Sequence, residues 1–209
     1  VRQKEKMMKI GKAIITFTII SLFGCNGQEH QNDGKANEIQ NEILQLETAN
    51  SKKIYLENIL KDDQALRNGE KSAELILKYG KDSKEHMEYV KAQWKQDEIN
   101  LRKIEAYLKK YGYPKKNELG KDAAIAPWIV IHHSTDTEIR NRNFKILYQA
   151  YLTGDIDDNA MSMYLGRTYE FTFKERFRME SPYKSEDEIN LLIEILNLDE
   201  EKANSQSHL

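Results

Sequence analysis

Met87, Val90, Trp94, Asp97, Leu101, Ile104 and Leu108 recur at alternating steps of three and four. That spacing draws a single stripe along a long helix, because about 3.6 residues complete a turn. Asp82 and Glu85 stand ahead of the stripe in capping-box spacing, an acceptor followed three residues later by glutamate. Gly112-Tyr113-Pro114 ends it, since glycine leaves the helix easily and proline cannot continue one. A stripe of this length has to be covered by other helices, and the chain can supply them. It has only 3 prolines and 10 glycines in 209 residues, with Lys, Glu, Leu and Ile abundant. The expected fold is therefore mainly α: one helical domain over 37–198, with a short strand or hairpin near 168–174 as its one departure.

The other helices are read from shorter periods. Ile39, Ile43, Leu46, Ile54 and Ile59 give one or two helices between Glu38 and Leu60, and the pattern continues from Asp62 to Tyr79 with a break near Gly69. Gly80 has the position of a helix C-terminal glycine. The apolar segment Ala123 to Ile131 contains Pro127, which either occupies a first helical turn or kinks a helix already begun. Trp128 to Ile131 alone also suits a buried strand. A further helix runs from about Asp136 to Leu152 and stops at Gly154. Asp157-Asp158-Asn159 can cap the next one, through Met161 and Leu165. Tyr169 to Phe173 alternates aromatic and polar residues, which is the strand signal. Ser185 and Glu188 have capping-box spacing before a last amphipathic helix on Ile189, Leu192, Ile193 and Leu196, and 199–209 read as a polar tail.

Asp97 is the wrong residue for its place in the stripe, and Asn100 lies three residues on. An unpaired buried carboxylate costs several kcal/mol, so Asp97 requires a partner. A structural ion pair and a polar site opening onto a cleft both meet that need.

The N-terminus has the three parts of an export signal. Arg2, Lys4, Lys6, Lys9 and Lys12 precede an uncharged apolar run from Ala13 to Phe23, and Gly24-Cys25 closes it. The run falls short of the roughly 20 residues that span a bilayer. Leu22-Phe23-Gly24-Cys25 resembles the bacterial lipobox, which implies cleavage after residue 24 and lipid on the Cys25 sulfur. Translation is expected to open at Met7 or Met8. Residues 25–36, the lipidated cysteine and a polar stretch, read as a flexible tether. The implied address is the cell envelope, with the lipid membrane as partner through acylated Cys25. Asn26 is not the aspartate that retains some lipoproteins in the inner membrane, so the outer membrane is expected, with the periplasmic or surface side open. Cys25 is the chain's single cysteine, which excludes an intramolecular disulfide and any cysteine-built metal site.

Removing residues 1–24 takes away five basic residues and one acidic residue, so the formal charge of −2 becomes −6. Interspersed charge of this sign has no electrostatic footprint for nucleic acid. There is no glycine-rich phosphate loop and no serine in a nucleophile elbow. His132, His133 and Asp136 do not have a specific metal-ligand spacing. No metal or cofactor is expected.

Asp63-Gln64-Ala65-Leu66-Arg67 has the form D-Q-x-x-R, and Asp97-Glu98-Ile99-Asn100 the form D-x-x-N. Then come Gly112-Tyr113-Pro114, Gly120, and Ala126 to His133, close to A-x-W-hydrophobic-hydrophobic-x-Q-H. In this order the chain resembles the bacterial domain of unknown function 6624, over Leu60 to Arg167, about half its length. It departs from that pattern at His132, where the family has glutamine, and at Gly166, where an aspartate precedes the arginine matched by Arg167. The family's closing Gln-Tyr-Gly-Thr-Gln-like stretch is not recognisable after Phe173.

The residues selected by chemistry coincide with those of the resemblance. Asp63 and Arg67 are four apart on one helix face, the geometry of an ion pair. The expected catalytic set is His133, Asp97, Asn100 and Arg67 around one pocket: histidine as general base, a carboxylate to orient it, arginine for an anionic group. Asp63, Gln64, Trp128 and Arg167 are expected to complete it as binding residues. The function expected is a binding or structural role in the envelope, for a protein or small-molecule partner the sequence does not specify. The alternative is a hydrolase-like enzyme using this His/Asp/Asn/Arg cluster.

Overall fold

In the computed structural model, residues 37–179 and 184–199 are described. The export signal, Cys25, the tether 25–36 and the tail from 200 onward lie outside the described residues. The helices are α1 (37–44), α2 (Ala49–Ala65), α3 (Gly69–Tyr79), α4 (Lys84–Tyr111), α5 (Lys116–Leu119), α6 (Lys121–His133), α7 (Thr137–Leu152), α8 (Asp158–Phe173) and α9 (Ser185–Ile195). The domain is mainly α, and no strand occurs among the described residues. None of these helices is long and apolar enough to cross a membrane.

The most apolar segment takes the centre. Ala123, Ala124, Ala126, Trp128, Val130 and Ile131 of α6 are buried, as expected for a helix apolar on nearly every side. It packs against α2, α4, α5, α7 and α8. Its two ends are thereby fixed from several directions, and its last residue is His133. Of the two placements open to Pro127, the first turn is not used and the helix has already begun. The proline lies inside α6, which starts at Lys121 after Gly120 (φ 88°), and costs the helix one backbone donor.

The 28-residue helix α4 follows the stripe. Its cap is Ser83, which accepts from the His86 backbone N–H at 3.2 Å, rather than Asp82. Ile104, Tyr107 and Leu108 are buried, whereas Trp94 is 60% exposed. The difference follows from what covers each half: α2 and α6 cross α4, while α3 packs on α4 alone and buries no residue of its own. Period marks a face but does not say how far along the helix that face is covered.

Three further expectations are corrected. Tyr169 to Phe173 is not a strand or hairpin but the end of α8. Its alternation also satisfies a helix, in which Tyr169 and Phe173 become neighbours with ring centroids 4.6 Å apart, and Thr172 bonds back to the Thr168 carbonyl. Trp128 to Ile131 is likewise helical. Ser185 caps nothing, since α9 begins after Lys184 without a side-chain cap, and Glu188 is bonded to Ser162 of α8. The capping box that exists was missed: Thr48 and Ser51 bond reciprocally at the start of α2, where the Glu38–Leu60 pattern divides.

Candidate functional site

Asp63 sits in the last turn of α2, 2% exposed. The chain then leaves the helix, and Arg67 follows in the turn to α3. Tyr89 and Gln93 of α4 fix that turn: Tyr89 Oη donates to the Leu66 carbonyl at 2.6 Å, and Gln93 Nε2 to the same oxygen at 3.2 Å. Both use a carbonyl left without an intrahelical donor at the end of α2. Arg67 is thereby aimed back along α2 and across to α4. Its Nε donates to Asp63 Oδ2 at 3.2 Å and its Nη2 to Asp97 Oδ1 at 2.5 Å.

From the opposite side comes His133, the last residue of α6. Its Nδ1 lies 3.1 Å from Asp63, and Gln64 Nε2 donates to the same carboxylate at 2.7 Å. Asp63 is thus the hub of the cluster. Burial pushes its carboxyl up, but hydrogen bonds from His133 and Arg67, with their charges, outweigh burial and hold it below the ordinary carboxylate value. Asp97 moves the other way. Burial raises its carboxyl, the neighbouring Asp63 charge adds to this, and attraction to Arg67 does not compensate. Two carboxyls on one arginine are therefore driven apart.

Arg67, Asp97, His133 and Arg167 line one cleft of about 410 Å³, together with Trp94, Leu101, Val130 and Ile139. The size is that of a small-molecule site. The sequence-selected residues divide cleanly. Asp63 stands behind the lining, acting on it through His133 and Arg67, and exposed Gln64 touches the cluster only through Asp63. Asn100 does not join the site: it is buried on the core side of α4, where its Oδ1 accepts from Gln96 at 2.9 Å. Residues three apart on a helix lie only about 60° apart in rotation, so Asn100 shares a broad face with Asp97 but falls on its core-facing side, while Asp97 reaches the cleft. Trp128 is also excluded, since its Nε1 donates to the Ala160 carbonyl at 3.0 Å and its ring stacks on His132 at 4.8 Å. The carboxylate that orients His133 is accordingly Asp63 rather than Asp97, and Arg67 is committed to two carboxylates.

His132 stacks on Trp128, and its ring centroid lies 5.9 Å from that of His133. It is buried, and desolvation first, then the Arg140 and Arg167 charges, lower it from the ordinary 6.5 to about 3. Among the described residues no three His, Cys, Asp or Glu side chains gather as a metal site.

Arg140 was missed entirely. It is fully buried in α7 and donates to the carbonyls of His132 at 2.8 Å, Ser134 at 3.1 Å and Tyr164 at 2.6 Å, and to Thr168 Oγ1 at 2.7 Å. Its guanidinium also lies 4.6 Å from the Tyr164 ring centroid. It gathers orphan carbonyls at the C-terminus of α6, the segment that carries His133. No spacing rule reveals such a residue, because most of its hydrogen-bond partners are backbone carbonyls.

Comparison of the chain with protein-family profiles, with curated proteins and with solved structures returns no match.

Proposed function

We propose that this is a cell-envelope lipoprotein, held in the outer membrane through acylated Cys25, whose helical domain binds a small molecule at the His133 cleft. We further infer that His133 acts there as general base in a hydrolase-like reaction. The observation that carries this reading is the contact between His133 Nδ1 and the buried, ionised Asp63. With Nδ1 donating to Asp63, the Nε2 of a neutral ring keeps its lone pair. That nitrogen can take a proton from water, and Asp63 stabilises the imidazolium formed, as the carboxylate of a catalytic triad does. Arg67 keeps Asp63 ionised. Asp97, the carboxyl pushed up, is the cleft group suited to return a proton to a leaving group, since divergent carboxyls separate acid and base roles.

The nucleophile in this reading is water. Ser134 also lines the cleft, but its Oγ accepts from the Asp136 backbone at 3.3 Å. That engagement favours, as a second reading, ligand capture without turnover. Membership of the domain of unknown function 6624 is part of the proposal and is supported by the gathering of its motif residues Asp63, Arg67, Asp97, His133 and Arg167.

A thermal-shift screen of small metabolites, followed by turnover assays on the hits, tests the site. His133→Gln should reduce turnover by about 10²–10⁴-fold, the usual worth of a general base, while the melting temperature stays close to wild type. Unchanged turnover in His133→Gln would sink the base assignment, and binding without turnover in the wild type would leave the second reading. Labelled palmitate should enter the wild-type chain in cells and not Cys25→Ser. Equal labelling of both would remove the lipoprotein assignment.

A further inference from the structure

The charged groups of the cleft differ in how far they are committed. Arg67 is held by Asp63 and Asp97. Glu98 is paired with Arg102, and Asp136 caps the first turn of α7 by accepting from the backbone of Glu138 and Ile139. Arg167 is the exception. It lines the same cleft, half-buried, and its guanidinium rests on the Phe171 ring with 5.2 Å to the centroid. Among the described residues it has no ion pair and no hydrogen bond. Stacking on an aromatic face fixes the plane of a guanidinium and leaves its five donors to a partner.

The field of this group is felt behind the wall. Arg167 contributes, after burial and Arg140, to lowering His132, and after burial to lowering Arg140. The cleft also carries an apolar part of its lining, Leu101, Val130, Ile139 and the exposed ring of Trp94, beside polar Gln93, Ser134 and Thr135. A ligand satisfying both parts carries an anionic group at one end and an apolar or planar body at the other.

We propose that Arg167 is the anion subsite of this cleft, and that the ligand is an organic carboxylate or phosphate whose apolar body lies along Trp94, Leu101 and Ile139. This rests on the reading of the His133 cleft as a ligand site, but not on His133 doing chemistry there. Arg67, taken in the sequence as the anion binder, becomes instead the clamp that holds the two carboxylates.

The probes are 1-naphthyl phosphate, 1-naphthoate and uncharged 1-naphthol, titrated into the purified full chain by calorimetry and by tryptophan fluorescence. Only two tryptophans are present, and Trp128 is buried away from the cleft, so a fluorescence change reports Trp94. At least one anionic probe should bind about tenfold or more tighter than 1-naphthol, the scale of a charge-assisted hydrogen bond. Arg167→Gln should remove that advantage and leave 1-naphthol unchanged, with circular dichroism showing the fold intact. His133→Gln should keep anion binding, so that loss of catalysis and loss of the anion site are read separately. A water-soluble short-chain phosphatidic acid, compared with 1-naphthyl phosphate, distinguishes a lipid headgroup from a free phosphate. Three results would each overturn the proposal: equal affinity for anionic and neutral probes, an anion advantage that survives Arg167→Gln, and no binding of either anion at millimolar concentration.

Discussion

His133 Nδ1 lies 3.1 Å from the carboxylate of Asp63, although 70 residues separate them in sequence. Asp63 is simultaneously the acceptor for Gln64 and Arg67. One side chain therefore ties the end of α2 to the end of α6 and, through Arg67, to the middle of α4.

Asp63→Asn removes the charge that Arg67 and His133 share. Because Asp63 is held below the ordinary carboxylate value in the fold, its contribution is fully present above the unfolded value near about 3.9 and is lost as pH falls through the folded one. Urea denaturation should show a loss of about 1–3 kcal/mol at pH 7, shrinking as the pH is taken well below 4. A loss of equal size at all pH values would mean that the charge of Asp63 is not what stabilises the junction.

His132 carries the opposite kind of burden, a base kept neutral. With its value lowered from 6.5 to about 3, the unfolded chain takes up a proton that the folded chain refuses. Stability should therefore be complete above 6.5 and decline as pH falls toward 3. His132→Gln should flatten that decline, with little change at pH 7. The check is the denaturation midpoint at half-unit pH steps in both chains.

Arg140→Leu should be among the most damaging substitutions in the domain, at about 3–5 kcal/mol. It strands the carbonyls of His132 and Ser134 without a donor, whereas the Tyr164 carbonyl keeps the Thr168 hydroxyl. Arg140→Lys retains the charge but lacks the planar fork, so it should recover only part of the loss. Chemical denaturation of the two variants measures the difference, and equal stabilities would show that charge alone matters.

The two tryptophans should separate in every assay. Trp94→Ala should change stability by less than about 0.5 kcal/mol because the ring is largely in solvent. Trp128→Ala should cost about 3–5 kcal/mol as a core truncation. Fluorescence of Trp128→Phe should be red-shifted and readily quenched by iodide, and that of Trp94→Phe should be neither.

Much of this architecture was legible in the chain because helices announce themselves locally. The α4 stripe, Gly80, Asp136 and Asp157 each act within one or two turns, and each was read from neighbours in sequence. Legibility failed where a local pattern has two solutions. The aromatic alternation of Tyr169 to Phe173 fits a strand and equally a helix pairing Tyr169 with Phe173, and α7 and α9 packing on α8 decided between them.

The wiring of the cluster was not legible. Asp97 and His133 stood out beside apolar runs, Asp63 and Arg67 by their spacing, and Arg167 only by the family resemblance; the fold brings the five to one cleft and the wall behind it. Which carboxylate faces His133 depends on how α2 and α4 approach α6, and no spacing within either helix encodes that. Asn100 and Trp128 entered with the motif matches, and both are buried in the core beside the site. Arg140 left no trace because it answers backbone carbonyls.

The span between Asp63 and His133 also makes the pair a clock for the folding reaction. A contact that closes so long a loop forms only after most of the chain-closure entropy has been surrendered, when α2 and α6 have met. The imidazole resonances of His133 should accordingly take their native positions with the global folding rate, and not with the faster formation of any single helix. A chain halted before α6 would carry Asp63 at the end of α2 and Arg67 in the turn after it, with Asp97 of α4 present and His133 missing.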